Sequence, residues 1–415
     1  MKIKDADSGK SRETLETRQS TREKRPKNYY GEWANITLVQ EPSTVKEALS
    51  SSESEKWKTA MSSEMTSLRE NQVWDLVELP KGRRAISSKW IFKKKLDADG
   101  NVERYKSRLV ARGFTQKPGI DYDETFSPVV RFESIRTVIA VAAQNGLTLH
   151  QMDVKTAFLN GELEEDIYMQ QPEGFVERGK ENLVCKLKRS LYGLKQAARC
   201  WNTALDSQLK AMQFSQCESD PCIYLREIEG TLFILAVYVD DIILGGADDS
   251  FVMKIKKVLS SKFAVTDMGR LHHFVGVKIV QCVDAIWIGQ TSYSKDLLVR
   301  FRMDQSNSTE TPMDVSCKLL KSENEDSVCS KEMYQSAVGS LLYLSTRTRP
   351  DIAFAVSYVA RFNAQPNNTH WSAVKRIMRY IKGTMHLGLL YVKGNSELVS
   401  NSICILLSVR IQSQI

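Results

Sequence analysis

The sequence contains few histidines and has no pair of cysteines at metal-binding spacing. Its 415 residues include five histidines and eight cysteines, and no two cysteines form a C-x-x-C pair. His272 and His273 adjoin each other, but no cysteine stands near them at the spacing of zinc ligands. These absences exclude a zinc knuckle or a zinc ribbon. Scattered cysteines of this kind indicate free thiols in a reducing compartment.

Long hydrophobic runs are also missing. The longest apolar run is interrupted by Asp240 and Asp241, so no run is long enough to cross a membrane. The N-terminal stretch MKIKDADSGKSRETLE lacks the apolar segment of a signal peptide. Hydrophobic residues make up 42% of the chain and charged residues 26%, as in soluble globular proteins. The sequence therefore predicts an intracellular protein, cytoplasmic or nuclear, that is not secreted and has no membrane partner.

Positive charge is concentrated in one part of the chain. The net charge of +8 is compatible with a polyanionic partner, although many soluble proteins are equally basic. Ten lysines and arginines lie between residues 83 and 112, interleaved with aromatic and aliphatic residues. This pattern predicts two strands joined by a turn at residues 97–101. The hairpin either binds phosphate groups or is simply a solvated basic surface.

Two adjacent aspartates divide an apolar segment at residues 231–246, TLFILAVYVDDIILGG. Strand-forming residues on both sides predict a tight hairpin with Asp240 and Asp241 at its tip. A pair of solvated turn residues is the simplest interpretation. However, the flanks are strongly apolar and the turn lacks the expected glycine. Two like charges in an apolar layer need a cationic partner, which favours a divalent metal ion bound by the carboxylates.

A third carboxylate for such a metal site is predicted at Asp153. It lies on a short apolar strand around residues 147–154, and Phe158 follows five residues later. The chain between Asp153 and Asp240 is long enough to contain helices that connect two neighbouring strands. The sequence therefore predicts that Asp153, Asp240 and Asp241 meet at one edge of a sheet.

Three motifs occur in order along the chain: DVKTAFLNG at 153–161, SLYGLKQA at 190–197 and YVDD at 238–241. Together they resemble the reverse transcriptase of a copia-type retrotransposon Pol polyprotein, over residues 57 to 390 approximately. The resemblance implies an α+β right-hand polymerase with fingers, palm and thumb, followed by a helical connection region. It also implies an RNA or DNA template with its primer, and dNTPs, as partners.

For the aspartates, the resemblance implies two Mg²⁺ ions, with Mn²⁺ as a possible substitute, bound by Asp153, Asp240 and Asp241. In this family the first aspartate of the pair is the usual direct ligand. That assigns Asp240 the direct role and Asp241 the secondary one.

For the nucleotide, the resemblance implies that Arg108 contacts the incoming triphosphate, with Lys106 and Arg112 as further candidates. Phe158 lies where this polymerase class carries an aromatic gate against the ribose 2′-hydroxyl, and an ordinary core phenylalanine is the alternative. Gly193 lets the backbone approach a ligand closely, in a segment that forms the floor under the template base and the nucleotide.

The resemblance also divides the chain into regions. These are a basic disordered linker at the end of an integrase region (1–45), the reverse transcriptase fingers, palm and thumb (46–305), a polar linker (306–332), a connection region (333–392) and an aberrant tail (393–415). Glu397 is the last acidic residue, so the carboxylates of an RNase H domain are absent and the chain is expected to be truncated before that domain. In the connection region, Lys375, Arg376, Arg379 and Lys382 either follow a primer–template backbone or form a solvated face.

The predicted function is an RNA-directed DNA polymerase that extends a primer 3′-hydroxyl with dNTPs by two-metal nucleotidyl transfer. The main alternative is a catalytically inactive, nucleic-acid-binding remnant of a degenerate transposable element. A two-metal enzyme that cleaves phosphodiester bonds is a third possibility. The order of the motifs, Phe158 and the absence of RNase H carboxylates argue against cleavage.

Overall fold

The computed structural model describes most of the chain. The described residues are 41–96, 101–314, 316–320 and 330–394. The predicted disordered linker as far as residue 40, the tip of the basic hairpin, part of the polar linker and the tail from residue 395 lie outside these ranges. Helices and antiparallel strands both occur in the described residues, which confirms the predicted α+β class.

The helices are distributed along the whole described chain. They are α1 (Val45–Ser50), α2 (Ser54–Glu70), α3 (Phe132–Asn145), α4 (Ala197–Ala211), α5 (Asp249–Lys262), α6 (Thr291–Arg300), α7 (Lys331–Arg347), α8 (Ala353–Ala360) and α9 (Asn368–Gly383). The strands are β1 (Trp74–Val77), β2 (Ser88–Leu96), β3 (Val102–Ala111), β4 (Thr148–Val154), β5 (Glu162–Met169), β6 (Val184–Arg189), β7 (Ser215–Gln216), β8 (Ile223–Ile228), β9 (Thr231–Tyr238), β10 (Asp241–Gly246), β11 (Val265–Arg270), β12 (His273–Phe274), β13 (Val277–Gln281), β14 (Ala285–Gly289) and β15 (Leu389–Val392).

A six-stranded antiparallel sheet, here called the central sheet, has the strand order β11-β4-β10-β9-β8-β7. Strands β9 and β10 form the predicted hairpin, called the aspartate hairpin below. Strand β4 pairs directly with β10, although about ninety residues separate them in the chain. The predicted hairpin and its predicted neighbouring strand are therefore both confirmed.

Both faces of the central sheet are covered, which explains why β9 is an uninterrupted apolar run. Phe233, Leu235 and Val237 pack with α4 and α5 on one face. Ile234 and Ala236 face the opposite core, which contains α3. Helix α3 ends at Gly146 in the left-handed conformation, with φ +66°, which glycine adopts without a Cβ clash. The glycine therefore marks the C-terminal end of α3.

The basic hairpin consists of β2 and β3 and packs on α2. The register runs from Ser88 opposite Ala111 to Leu96 opposite Val102, as the two-strand prediction requires. Helix α2 carries apolar residues at three- and four-residue spacing, and this stripe is buried. Its Trp57 packs edge-on against Tyr105 of β3, with ring centroids 4.8 Å apart. A small sheet, β1-β6-β5, completes this second core.

The C-terminal part of the described chain combines helices α6–α9 with a four-stranded sheet, β12-β13-β14-β15. The helices share a third core that includes Leu297, Leu341 and Ile377. Strand β15 follows α9 in sequence but pairs with β14. The predicted connection region and the region before it therefore contribute strands to one sheet.

The acidic residues that follow Asp153 in sequence do not form the solvated turn that their charge predicts. Glu162, Glu164, Glu165 and Asp166 belong to β5, an edge strand. Glu162, Glu164 and Asp166 alternate on the exposed side of this strand. Charged residues on an edge strand keep it soluble and limit pairing with other chains. Charge alone therefore does not distinguish a turn from an exposed strand edge.

Candidate functional site

The aspartate hairpin turns through only two residues. Tyr238 and Asp241 pair across the hairpin, which leaves Val239 and Asp240 as the turn. Val239 has φ +57°, in the left-handed region. A β-branched residue is strained there, and such strain is typically found at functional sites. Asp240 therefore lies at the tip, as predicted, whereas Asp241 is already the first residue of β10.

The strained turn is held by Trp201 of α4. The indole Nε1 donates a hydrogen bond to the Val239 carbonyl oxygen at 2.6 Å. Trp201 is buried, and its ring packs edge-on against Phe263 at 5.1 Å between centroids. Without this donor, the Val239 carbonyl oxygen would lose its hydrogen bond, and the folded state would be less stable. Sequence reasoning missed this contact, because the spacing of α4 identifies Trp201 only as a core residue.

Asp153 faces Asp241 across two neighbouring strands. The two residues are directly opposite in the register of β4 and β10, and opposite residues in an antiparallel pair share a face of the sheet. The Val154 amide donates to the Asp240 carbonyl oxygen at 2.8 Å, which ties the end of β4 to the turn. The three aspartates predicted from the sequence therefore converge at one edge of the central sheet.

The environment of Asp153 and Asp241 disfavours their negative charge. Burial raises the pKa of Asp153, and the neighbouring Asp240 raises it further, while Lys106 lowers it. Burial also raises the pKa of Asp241, against the effect of a hydrogen bond from Gln151. Carboxylates that are buried next to one another are stabilised in their charged form by a cation.

Gln151 orients the second aspartate. Its side chain is buried, and its Nε2 donates to Asp241 Oδ1 at 3.1 Å. Both residues belong to the β4–β10 pair, so the amide is fixed by the same strands that position the carboxylates. The sequence contains a signal for this residue, because Gln151 lies two positions before Asp153 on β4 and therefore shares its face of the sheet.

The aspartates have the chemistry of a magnesium site without forming a closed ligand set. Among the residues that the structure describes, no three His, Cys, Asp or Glu side chains are gathered closely enough to hold a metal ion. Mg²⁺ is typically bound by one or two carboxylates, with water and substrate phosphates completing its coordination. Asp153 and Asp241, whose pKa values are raised by burial, fit that mode of binding.

Two of the three predicted phosphate-binding cations lie near the aspartates. Lys106 and Arg108 alternate along β3, so both side chains are on one face of that strand. Each lowers the pKa of Asp153 electrostatically. Burial lowers the pKa of Lys106 itself, and the neighbouring Arg108 lowers it further. Arg112 lies just past the end of β3 and is exposed, and no contact with the aspartates is seen for it in the described structure.

Tyr192 connects the basic hairpin to Phe158. The Arg108 guanidinium lies 4.8 Å from the centroid of the Tyr192 ring. Phe158 packs edge-on against the Tyr192 ring, and the two ring centroids are 4.9 Å apart. Phe158 is only half-buried, so both the gate and the core interpretation keep structural support. Tyr192 is a candidate site residue that sequence reasoning did not assign.

The backbone of β3 leaves no room for a side chain at position 193, so this residue has to be glycine. It has φ +93°, and a Cβ at this position would collide with the Ala111 carbonyl oxygen. The Ala111 amide in turn donates to the Tyr192 carbonyl oxygen at 2.7 Å. The close approach predicted for Gly193 is therefore an approach to β3. A contact between Gly193 and a nucleotide stays a prediction.

Three of the four basic residues singled out on α9 bind their own chain, namely Arg376, Arg379 and Lys382. Arg379 Nε donates to the Asn307 carbonyl oxygen at 2.7 Å, and Lys382 Nζ donates to that of Ser306 at 2.6 Å. Arg376 donates to the Thr311 hydroxyl at 3.0 Å. These contacts hold the segment that follows α6 against α9. They match neither a solvated face nor a surface kept free for nucleic acid.

Comparison with known proteins agrees with this geometry. The family model "Reverse transcriptase (RNA-dependent DNA polymerase)" matches residues 71–315. The retrovirus-related Pol polyprotein from transposon TNT 1-94 of Nicotiana tabacum is 46% identical over 85% of this chain and 27% of its own length. The Pol polyprotein from transposon RE1 of Arabidopsis thaliana is 39% identical over 90% of this chain and 25% of its own length. A putative transposon Ty5-1 protein of Saccharomyces cerevisiae is 32% identical over 59% of this chain and 79% of its length.

The chain spans about a quarter of the length of the two plant Pol polyproteins that it matches. No helix in the described ranges is long and apolar enough to cross a membrane. The family model covers more than half of the chain and includes all three aspartates and the basic hairpin. On this evidence, the protein belongs to the reverse transcriptase (RNA-dependent DNA polymerase) family, with relatives among the Pol polyproteins of copia-type retrotransposons.

Proposed function

We propose that this protein is an RNA-directed DNA polymerase that extends a primer 3′-hydroxyl with dNTPs on an RNA or DNA template. One observation carries the proposal. Asp153 and Asp241 are paired beside the strained turn that holds Asp240, and Asp153 lies within the electrostatic reach of Lys106 and Arg108 in the basic hairpin. Acidic groups that can bind metal ions, next to cations that can bind phosphate, are the parts that nucleotidyl transfer needs.

The aspartates would hold two Mg²⁺ ions, or Mn²⁺ in their place, with Asp153 and Asp240 as the main ligands and Asp241 as the secondary one. When bound, the ions lower the pKa of the primer hydroxyl and neutralise charge on the triphosphate and the leaving pyrophosphate. The protein contributes the fixed positions of the carboxylates. Trp201 holds the turn, and Gln151 orients Asp241.

The nucleotide would lie between the aspartates and the basic hairpin. Arg108 and Lys106 bind the triphosphate oxygens, and a guanidinium can bind two of them at once. Arg112 lies further along the same chain segment and binds the template or the nucleotide only if either reaches past the end of β3. To Phe158, whose ring packs against that of Tyr192, we assign the exclusion of a ribose 2′-hydroxyl. Gly193 keeps the floor of the site close to β3.

The right-hand architecture assigns each described layer a role. The basic hairpin with α1 and α2 forms the fingers, the central sheet forms the palm, and the sheet β12–β15 with the following helices forms the thumb and connection region. The proposed regions are 46–305 for the polymerase, 306–332 for the linker and 333–392 for the connection. We place the protein inside the cell, in a retrotransposon particle or the nucleus, without a membrane partner.

Primer extension by the purified full chain tests this proposal. The assay contains an RNA template, a DNA primer, dNTPs and Mg²⁺, and compares wild type with Asp240→Asn. Asp75→Asn is the matched control, because Asp75 is an exposed residue that pairs with Lys188 at the surface. Wild type and the control should extend the primer, and Asp240→Asn should lose at least about a thousandfold in rate. Salt-dependent template binding without extension by wild type would instead identify a non-catalytic remnant.

A further inference from the structure

Helix α2 and its N-cap place two glutamates against the basic hairpin. Glu53, the N-cap residue, forms an ion pair with Lys94 at 2.7 Å and accepts a hydrogen bond from the Tyr105 hydroxyl at 2.5 Å. These two partners hold the pKa of Glu53 below its ordinary value. The negative charge of Glu53 is therefore used in packing α2 against the hairpin. Glu64 lies about three turns further along the helix, in a different environment.

Glu64 is half-buried and lacks a cationic partner in direct contact. Its Oε1 accepts a hydrogen bond from the Leu109 amide at 3.3 Å. No lysine or arginine in the described ranges forms an ion pair with it. Burial raises the pKa of Glu64, against the effects of the Leu109 amide, Arg108 and Lys106. A carboxylate that is half-buried without a direct partner costs stability, and such groups are concentrated at functional sites.

The carboxylate of Glu64 acts on the two cations assigned to the triphosphate. Its hydrogen-bond donor, Leu109, directly follows Arg108 on β3. Burial lowers the pKa of Lys106, and Glu64 opposes this shift. Burial raises the pKa of the Tyr192 hydroxyl, and Glu64 raises it further, while Arg108 lowers it. Glu64 is thus an unpaired negative charge within electrostatic reach of Lys106, Arg108 and Tyr192.

A negative charge beside these cations has a consequence for binding. The incoming triphosphate and the leaving pyrophosphate are both anionic and would use the same cations. A fixed carboxylate nearby weakens the binding of both by Coulomb repulsion. Because pyrophosphate has to leave after each incorporation, weaker binding favours turnover.

We propose that Glu64 is a positioning residue that acts through Arg108 and Lys106: its charge offsets part of theirs and limits the affinity for triphosphate and pyrophosphate. The proposal rests on the polymerase function given above. It gives α2 a part in nucleotide affinity, in addition to packing the basic hairpin. The charge acts on binding and not on the chemical step. We therefore expect the dissociation constant of the dNTP to change and the maximum rate of incorporation to stay the same.

Two substitutions at this position distinguish the charge from the hydrogen bond. Glu64→Gln keeps an oxygen that accepts from the Leu109 amide and removes the charge. Glu64→Asp keeps the charge and shortens the side chain by one methylene. If the charge matters, Glu64→Asp resembles wild type and Glu64→Gln differs. If only the hydrogen bond matters, Glu64→Gln resembles wild type and Glu64→Asp is impaired.

The experiment is single-turnover incorporation by the full chain at varied dNTP concentration and neutral pH. Glu64→Gln should lower the Kd for the dNTP about fivefold, and the inhibition constant of pyrophosphate by a similar factor. Glu55→Gln is the control, because Glu55 is an exposed residue of α2 that pairs with Lys58, and it should change neither constant. In an Arg108→Gln background the effect of Glu64→Gln should shrink, since one of its two target cations is gone.

The pH dependence provides a readout that a structural role would not change. Because its pKa is raised, Glu64 takes up a proton at a higher pH than an ordinary glutamate. The groups that face it are Lys106 and Arg108, which stay charged in acid, and Tyr192, which stays neutral. The ratio of the Kd of wild type to that of Glu64→Gln should therefore approach one as the pH falls. A ratio above one that does not change with pH would contradict the proposal.

Equal Kd values for wild type and Glu64→Gln at neutral pH would overturn the proposal and leave a structural role. Titration calorimetry with inorganic tripolyphosphate separates this outcome from failure of the polymerase function, because it requires no incorporation. If wild type incorporates no nucleotide but Glu64→Gln binds tripolyphosphate more tightly than wild type does, the polymerase function fails and the role of Glu64 stands. No binding of tripolyphosphate by Glu64→Gln would overturn the proposal, whatever the incorporation assay shows.

Discussion

Buried charged side chains lack oppositely charged partners at the aspartate hairpin but have them in the segment that contains α7–α9. At the hairpin, Asp153 and Asp241 are partly buried beside another carboxylate, and the pKa of each is raised. Between α7 and α8, Arg349 is almost completely buried but binds Asp351 through two nitrogens and also donates to Thr384. Tyr380 donates to the same Asp351 carboxylate at 2.9 Å.

This difference indicates that the aspartate hairpin is a functional site and that the Arg349–Asp351 pair has a structural role. Repelling carboxylates and a strained valine lower stability, and they persist when a substrate or a metal ion makes use of them. A buried ion pair with all its hydrogen bonds formed fixes the packing of helices. We therefore expect substitutions near the hairpin to reduce activity with little loss of stability, and substitutions in α7–α9 to do the reverse.

Among substitutions outside the three aspartates, the largest effect on activity is expected from Arg108→Gln. Removing the guanidinium should lower kcat/KM for the dNTP about a hundredfold, since a charge-assisted contact with the triphosphate is lost. Single-nucleotide incorporation at varied dNTP concentration measures it. Arg104→Gln, an exposed arginine on the same strand, is the control. An equal loss in both variants would mean that general positive charge, and not a specific contact, explains the role of β3.

The largest effect on stability is expected from Arg349→Gln. It leaves the buried Asp351 without its cationic partner, which should lower the free energy of unfolding by about 3–5 kcal/mol. Urea unfolding followed by circular dichroism measures this loss. The folded fraction should keep its rate of nucleotide incorporation. A fall in kcat without a fall in stability would contradict the division between site and scaffold.

Trp201→Phe should affect both properties, because Trp201 lies in the core and also holds the strained turn. Loss of the indole donor should reduce kcat about tenfold, with KM for the dNTP unchanged, and lower stability by about 1–2 kcal/mol. Trp90→Phe is a closely matched control, since the Trp90 indole also donates to a carbonyl oxygen, that of Glu173, at 3.0 Å. Equal effects of both variants on kcat would show that Trp201 does not position the turn.

The smallest effect is expected on the melting temperature of Asp153→Asn, measured in the absence of divalent ions. Because the folded-state pKa of Asp153 lies above its ordinary value, the folded state binds the proton more tightly than the unfolded state does. The charged form therefore costs stability at neutral pH, and this cost disappears as the pH falls through the raised pKa. Asp153→Asn should melt at a slightly higher temperature than wild type at neutral pH, and at a similar one in acid.

Mg²⁺ gives the complementary result in the same melting experiment. It should stabilise wild type, by binding the folded state, and stabilise Asp153→Asn less. A variant that melts below wild type at neutral pH without metal would contradict the assigned repulsion between carboxylates.

Local patterns made the hairpins and the main helices predictable. Apolar runs around Asp240 predicted β9 and β10, and the apolar strand at Asp153 predicted β4. The pairing of β4 with β10 was expected from the need for a third carboxylate. Gly146 ends α3 in a left-handed conformation, which is likewise a local property of the chain.

Contacts between distant residues were not predictable in the same way. Trp201 and Val239 are 38 residues apart, and Gln151 and Asp241 are 90 apart. Each contact depends on the register of packed elements, which a single sequence does not specify. The α9 cations illustrate the limit of charge patterns: Arg379 lies 72 residues from Asn307, which its side chain binds. A run of basic residues indicates charge, but it does not show whether the protein already uses that charge.

Single-turnover incorporation of one dNTP on an RNA template tests the central claim most directly. The comparison is between wild type, Asp153→Asn and the surface control Asp75→Asn, each with and without Mg²⁺. We expect Mg²⁺-dependent incorporation by wild type and by Asp75→Asn, and a loss of at least about a thousandfold in Asp153→Asn, with primer–template binding retained. Incorporation by Asp153→Asn at the wild-type rate would show that the reaction does not occur at these aspartates.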